Sequence, residues 1–152
     1  MAVSYIWTDG ENPAFRHFWR VTEEYYNRVA GGAENRRQFM PYNLSSAVED
    51  VLLVFEDGRP AACAGLKPYS GTDAEVKRVW VEPEFRGRGI ASRMMELLEE
   101  KAREKGYRRT ILQTREAMAD AVGLYTRLGY RRIGNYPPYD RLGGAVCFAR
   151  DL

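Results

Sequence analysis

The stretch Arg86-Gly87-Arg88-Gly89-Ile90-Ala91-Ser92 gathers residue types that bind phosphate groups. Its two glycines let the backbone come close to a ligand and take positive φ. A helix predicted from about Gly89 offers N–H groups without intrahelical partners and the positive end of its dipole. Arg86 and Arg88 add guanidinium forks that match phosphate oxygens. The same residues are compatible with a solvated turn carrying two exposed arginines. Two nucleotide sites fit poorly. A P-loop needs Gly-Lys-Ser/Thr after its spacer, and none is present. A Rossmann fingerprint follows the first strand of a doubly wound sheet. Here a hairpin comes first, only one clear crossover unit follows, and Ser92 holds the place of the third glycine.

Patterning and turn chemistry predict the elements that position this loop. A strand over 74–81 leads into it, with Val76, Arg78 and Trp80 on one face and Glu75, Lys77, Val79 and Val81 on the other. The helix over 89–104 has an apolar stripe of Ile90, Met94, Leu97, Leu98 and Ala102. Glu99 and Arg103 stand at i, i+4 spacing for an ion pair. Gly106 lies where a left-handed residue closes the helix. A strand over 109–114, a helix over 119–128 ended by Gly129, a strand over 130–134, a loop over 135–139 and a last strand over 145–150 complete the chain.

Upstream, Asn12 caps a helix with Pro13 at its first position. Phe15, Phe18, Trp19, Thr22, Tyr25, Tyr26 and Val29 share its inner face, and Gly31-Gly32 ends it. A shorter helix is expected over 33–39, then a loop over 41–49. Strands 51–55 and 60–66, joined by the turn Glu56-Asp57-Gly58-Arg59, form an antiparallel hairpin. The predicted order is helix, helix, hairpin, strand, helix, strand, helix, strand, strand. The strand-helix-strand unit makes 74–81 and 109–114 parallel, with a right-handed crossover. The remaining pairs are antiparallel. The expectation is a single mixed α/β domain, of the α+β kind, over residues 1–152.

Composition agrees with that size. Of 152 residues, 45% are hydrophobic and 29% charged, so the chain can bury a core. A net charge of +2 does not suggest nucleic acid. Any anion site must arise from local placement of Arg and Lys. Cys63 and Cys147 each sit in an apolar run and read as buried thiols, too few for a disulfide scaffold or a cysteine zinc site. His17, the single histidine, cannot make a metal site alone and reads as a surface or packing residue. No signal peptide and no membrane-length apolar stretch is found, so a cytoplasmic setting is expected.

Two segments carry a family resemblance. Glu75-Val-Lys-Arg-Val-Trp-Val-Glu-Pro-Glu-Phe-Arg-Gly-Arg-Gly-Ile-Ala91 and Ala121-Val-Gly-Leu-Tyr-Thr-Arg-Leu-Gly-Tyr130 resemble the two signatures of the GNAT superfamily of N-acetyltransferases. They stand in the right order with a strand between them, and the likeness covers about residues 50–150. It implies a mixed, mostly antiparallel sheet of six to seven strands with helices on both faces. A V-shaped split is implied between the two central parallel strands. It also implies acetyl-CoA as co-substrate and no metal. The backbone of Val79, Trp80 and Val81 would pair with the pantetheine amides. The N–H groups from Arg86 through Gly87, Arg88, Gly89, Ile90 and Ala91, with Ser92 beside them, would hold the diphosphate. Many members carry Asn seven positions before the second signature's Tyr. Here Met118 stands there, so it is expected to pack against the cofactor instead.

The implied reaction is direct attack by a primary amine. An alkylamine with a pKa of about 10 is mostly protonated at neutral pH, so a base or water relay must take its proton. Glu75 is the candidate, on the strand where family members often place a carboxylate. The alternative is an exposed strand residue balancing Lys77. The carbonyl oxygen gains negative charge, which the N–H of Val79 would stabilise. Tyr125 is the candidate acid for the departing sulfur, with core packing as the alternative. The family's acceptor pocket would draw on Tyr25, Tyr26, Arg36, Arg37, Gln38, Tyr42, Tyr69, Tyr136 and Tyr139. That set suits a small amine or amino-acid-like substrate bearing a carboxylate. A protein or peptide acceptor, and a non-catalytic acyl-CoA sensor, stay open at this point. A homodimer is compatible with the aromatic C-terminal segment.

Overall fold

Asn12 opens the first long helix by accepting the Ala14 N–H on its side-chain oxygen at 2.9 Å. The computed structural model describes residues 2–29 and 47–152. The expected short helix over 33–39, the residues Arg36, Arg37, Gln38 and Tyr42, and most of the loop over 41–49 lie outside the described residues.

The elements are β1 (Val3–Thr8), α1 (Pro13–Val29), β2 (Asp50–Glu56), β3 (Arg59–Pro68), β4 (Asp73–Val81), α2 (Ile90–Glu104), β5 (Arg109–Arg115), α3 (Ala119–Arg127), β6 (Arg131–Ile133) and β7 (Ala145–Asp151). Strand β1 precedes the first predicted element, so the expected order lacked it. Single 3₁₀ turns occupy Pro83–Phe85 and Tyr139–Arg141.

Among the described residues seven strands form one sheet in the order β1-β2-β3-β4-β5-β7-β6. Strands β4 and β5 run parallel and every other pair is antiparallel. The β2–β3 turn places Asp57 at φ 49° and Gly58 at φ 78°, the geometry of a tight hairpin connection.

Alternation along β2 divides the core into two layers. Val51 and Leu53 join Phe15 and Phe18 of α1 on one face. Leu52 and Val54 join Met94, Met95 and Leu98 of α2 and Tyr125 of α3 on the other. Helices therefore cover both faces. Burying each such Leu, Met or Phe side chain contributes about 1.5–3 kcal/mol, which is what fixes the two helices to the sheet. Within α2, Met95 is buried along with Ile90, Met94, Leu98 and Ala102, whereas Leu97 is partly covered.

Glu99 corrects the expected i, i+4 pair with Arg103. Its side chain turns inward, accepting from Arg150 Nη1 at 2.6 Å and from Tyr130 Oη at 3.0 Å. A carboxylate only 3% exposed needs partners aimed at it, and β7 with the segment before β6 supplies them. Gly106 and Gly129 end α2 and α3 at φ 88°, as expected of left-handed closing residues. No described helix is long and apolar enough to cross a membrane.

Candidate active site

The parallel ladder between β4 and β5 is short. Asp73, Ala74 and Glu75 pair with Arg109, Thr110 and Ile111, and the pairing stops there. Beyond Glu75 the two strands separate, giving the V-shaped split between central parallel strands.

The end of β4 also breaks its own alternation. Gly65 pairs with Lys77 and Cys63 with Trp80, so two steps on β3 span three on β4. The added residue is Arg78, at φ 53°. This corrects the expected faces. Val76, Val79 and Val81 lie against the α2 layer, whereas Trp80 packs on the α1 side. Arg78 also turns to α1, bonding Thr22 and Glu23. A period-2 reading cannot hold across an inserted residue.

A cleft of about 450 Å³ opens at the split. One bank is Val79, Trp80 and Val81, followed by Phe85, Arg86, Gly87, Gly89, Ile90, Ala91 and Ser92. The other is Met118, Asp120, Ala121, Leu124, Tyr125 and Arg127, with Tyr25 of α1 beside Trp80. The structure thus brings together nearly all the residues expected to hold a cofactor. Phe85, Asp120, Ala121, Leu124 and Arg127 were not anticipated. The helical spacing of Met118, Ala121, Leu124 and Tyr125 was the signal for Ala121 and Leu124.

Gly87 and Gly89 both have φ 78°, and a Cβ at either would meet nothing within 4 Å. Gly89 caps α2, and no side chain bonds the helix start. The first-turn N–H groups are therefore free of any side-chain cap, which is what an anion needs. Arg86 lies with its guanidinium carbon 4.8 Å from the Trp80 ring centroid, and its Nε donates to Val81 O at 2.8 Å. Arg88 departs from expectation. Its Nη1 donates to Glu56 Oε1 at 2.6 Å and its guanidinium faces Phe85, so its side chain is away from the cleft lining. Glu56, with 8% of its side chain exposed, draws the guanidinium to itself.

Tyr125 is 7% exposed, and burial, then the nearby Tyr26, pushes its hydroxyl above the usual phenol range. The hydroxyl stays protonated at neutral pH and so keeps a proton to donate. Trp80 Nε1 is buried without a hydrogen-bond partner among the described residues. Its ring is held instead by Tyr25, at 5.2 Å between centroids. Cys63 and Cys147 are buried free thiols, as expected, and burial pushes both above the usual thiol range.

Glu75 does not line the cleft and is not an exposed strand residue. It is 3% exposed and accepts from Tyr136 Oη at 2.7 Å. Lys77 Nζ lies 3.9 Å away and donates to Tyr139 Oη at 2.8 Å. The Tyr69 and Tyr136 ring centroids are 4.9 Å apart, and those of Tyr136 and Tyr139 5.4 Å. Three tyrosines expected near an acceptor thus surround the carboxylate expected to act as base. The arrangement gives one bank with an uncapped helix start, a buried phenol on the other, and a carboxylate outside the cleft lining that accepts from the Tyr136 hydroxyl.

Comparison with known proteins agrees with this geometry. A family model described as the Acetyltransferase (GNAT) family matches residues 5–130. Over 80 residues the chain is 30% identical to the uncharacterized N-acetyltransferase YjgM of Escherichia coli (strain K12), covering 51% of this chain and 48% of that protein. Over 89 residues it is 36% identical to the IAA acetyltransferase of Azospirillum brasilense, covering 58% of each. The chain spans about half the length of the curated relatives it matches. A GNAT family acetyltransferase of Elizabethkingia anophelis, solved with acetyl-CoA bound, shares the fold at a TM-score of 0.70 and 16% identity, over 99% of this chain and 98% of that one.

Proposed function

Since the chain belongs to the GNAT acetyltransferase family, we propose that it transfers an acetyl group from acetyl-CoA to the primary amine of a small, amino-acid-like molecule. The observation that carries this reading is the parting of β4 from β5 after Glu75, beside a helix start with no side-chain cap. The residues present fit a diphosphate: two glycines leave open space where a Cβ would stand, and Arg86 lies on the same bank. The amides from Arg86 to Ser92 would hold it, and the backbone of Val79, Trp80 and Val81 would receive the pantetheine arm. Acetyl-CoA, when bound, supplies an activated acyl carbon and a thiolate leaving group.

The chain's own residues divide the remaining work. The Val79 N–H offers a donor where negative charge grows on a carbonyl oxygen. Tyr125 presents a protonated hydroxyl from the α3 bank, worth more as a hydrogen-bond donor than as a source of a full proton. Glu75 takes the amine's proton, and Tyr136, at 2.7 Å, relays it. Direct attack by the amine requires no protein nucleophile, and the buried thiols fit that. Lys77 adds a cation to the same tyrosine-rich side, which suits an acceptor that carries a carboxylate.

The test compares the rise in melting temperature with acetyl-CoA, NAD and ATP, each at the same concentration. A ligand at 100 times its Kd adds about 2.7 kcal/mol, so acetyl-CoA alone is expected to give a clear shift. Thiol release from acetyl-CoA is then measured across a panel of amines, with amino-acid-like amines expected to respond best. A larger shift with NAD or ATP would sink the proposal.

A further inference from the structure

Arg78 is a charged, non-glycine residue in the left-handed region, at φ 53°, where β4 gains its extra residue. That conformation is unfavourable for a residue with a Cβ and persists only where the surroundings over-determine it. Here they do so at both ends of the residue. Its carbonyl accepts from Cys63 Sγ at 3.4 Å. Its Nη1 donates to Thr22 Oγ1 at 3.0 Å and its Nη2 to Glu23 Oε1 at 2.8 Å. The guanidinium carbon lies 3.6 Å from the Trp19 ring centroid and 5.0 Å from that of Tyr26. Only 4% of the side chain is exposed. Four residues of α1 therefore grip one residue of β4.

The next residue is Val79, on the cleft bank. Without the insertion the strand's alternation would turn Val79 and Val81 toward α1 and Trp80 toward α2. A tether between helix and sheet needs an ion pair but no strained backbone, whereas this one is built on the residue that re-aims the cleft wall.

We propose that Arg78 is a positioning residue, whose guanidinium, clamped by Glu23, Thr22, Trp19 and Tyr26, fixes the bulge that presents the Val79 N–H to the reacting carbonyl. The proposal rests on the acyl-transfer reading above. Arg78 itself touches no reacting atom, and α1 reaches the chemistry through the backbone. The planar fork matters because an ammonium has no flat face to lay on the indole while its N–H donors meet two acceptors.

Wild type, Arg78→Lys and Glu23→Gln are compared in kcat, in KM for acetyl-CoA and in the amide resonance of Val79. Both variants are expected to lower kcat by roughly 10- to 100-fold, as a small misplacement does. KM for acetyl-CoA should move less than about threefold, because an interaction made only in the transition state is lost. The Val79 resonance should shift in both. Glu23→Gln keeps an acceptor oxygen and should retain more activity than Arg78→Lys. Wild-type kcat with an unmoved Val79 resonance overturns the proposal, as does a loss confined to KM. If wild type itself turns over no amine, the acyl-transfer reading fails. The Val79 resonance then still reports whether the clamp sets the bulge, and an unmoved resonance overturns that too.

Discussion

Tyr136 Oη donates to Glu75 Oε2 across 2.7 Å, although the two residues are 61 positions apart in the chain. The bond joins the loop before β7 to the last rung of the β4–β5 ladder. It places a tyrosine hydroxyl on a carboxylate that is itself almost fully covered.

If the two act as one relay, Glu75→Gln and Tyr136→Phe should each lower kcat by about 100-fold. The double variant should be no worse than the weaker single, because members of one unit are not additive. Neither should change the melting shift given by acetyl-CoA, since neither lines the cleft. Losses that multiply would show that the residues act apart.

Tyr125→Phe removes a hydroxyl that makes no hydrogen bond among the described residues while keeping the buried ring. The melting temperature should therefore hold or rise slightly, and acetyl-CoA affinity should stay within about twofold. Turnover should fall by about tenfold or more if the phenol donates to the leaving sulfur. Calorimetry beside steady-state kinetics separates the two effects, and unchanged kcat removes the donor role.

Arg86 and Arg88 should part company despite their likeness in sequence. Arg86→Ala is expected to weaken acetyl-CoA binding by roughly tenfold, the scale of a charge-assisted contact. Arg88→Ala should leave binding within about twofold but cost roughly 1–3 kcal/mol of stability, because Glu56 loses its partner. Titration of both variants with acetyl-CoA, and urea melts of each, check this. Equal losses of affinity would show that the Arg88 guanidinium leaves Glu56 to bind ligand.

Burial holds the Lys77 ammonium down to about 8, against about 10.4 in an unfolded chain. Between those values the unfolded state binds more protons, so stability rises with pH across the window. The lysine's penalty is absent above about 10.4 and is fully imposed once pH has fallen below about 8. The stability of wild type minus that of Lys77→Met should grow by roughly 1–3 kcal/mol from about pH 7.5 to 10. Chemical denaturation at a series of pH values measures it, and a flat difference would contradict a buried ammonium.

The loop from Arg86 to Ser92, the two long helices and the parallel unit were legible because each rests on local chemistry: glycines, a cap, a stripe at helical spacing. Strand β1 was not foreseen, although Val-Ser-Tyr-Ile-Trp-Thr is rich in β-forming types and Asp9-Gly10 closes it. As an edge strand it shows no clean alternation, with Val3 and Ile6 exposed and only Tyr5 and Trp7 packed on the core. The faces of β4 were misread past Lys77 because nothing in an arginine announces positive φ. The side-chain positions of Glu75, Arg88 and Glu99 were equally hidden. Their partners, Tyr136, Glu56 and Arg150, come from distant parts of the chain, and only the folded sheet brings them into reach.

Three rungs join the β1–β4 half of the sheet to the β5–β7–β6 half, yet Leu52 and Val54 on one side share a single apolar layer with Leu112, Val146 and Phe148 on the other. The seam is thus weak in its backbone bonds and strong in its oily backing. A ligand wedged into the open end would act as a missing strand, stiffening a joint that the polypeptide leaves half-stitched, so occupancy of the cleft and mechanical rigidity of the whole sheet should rise together.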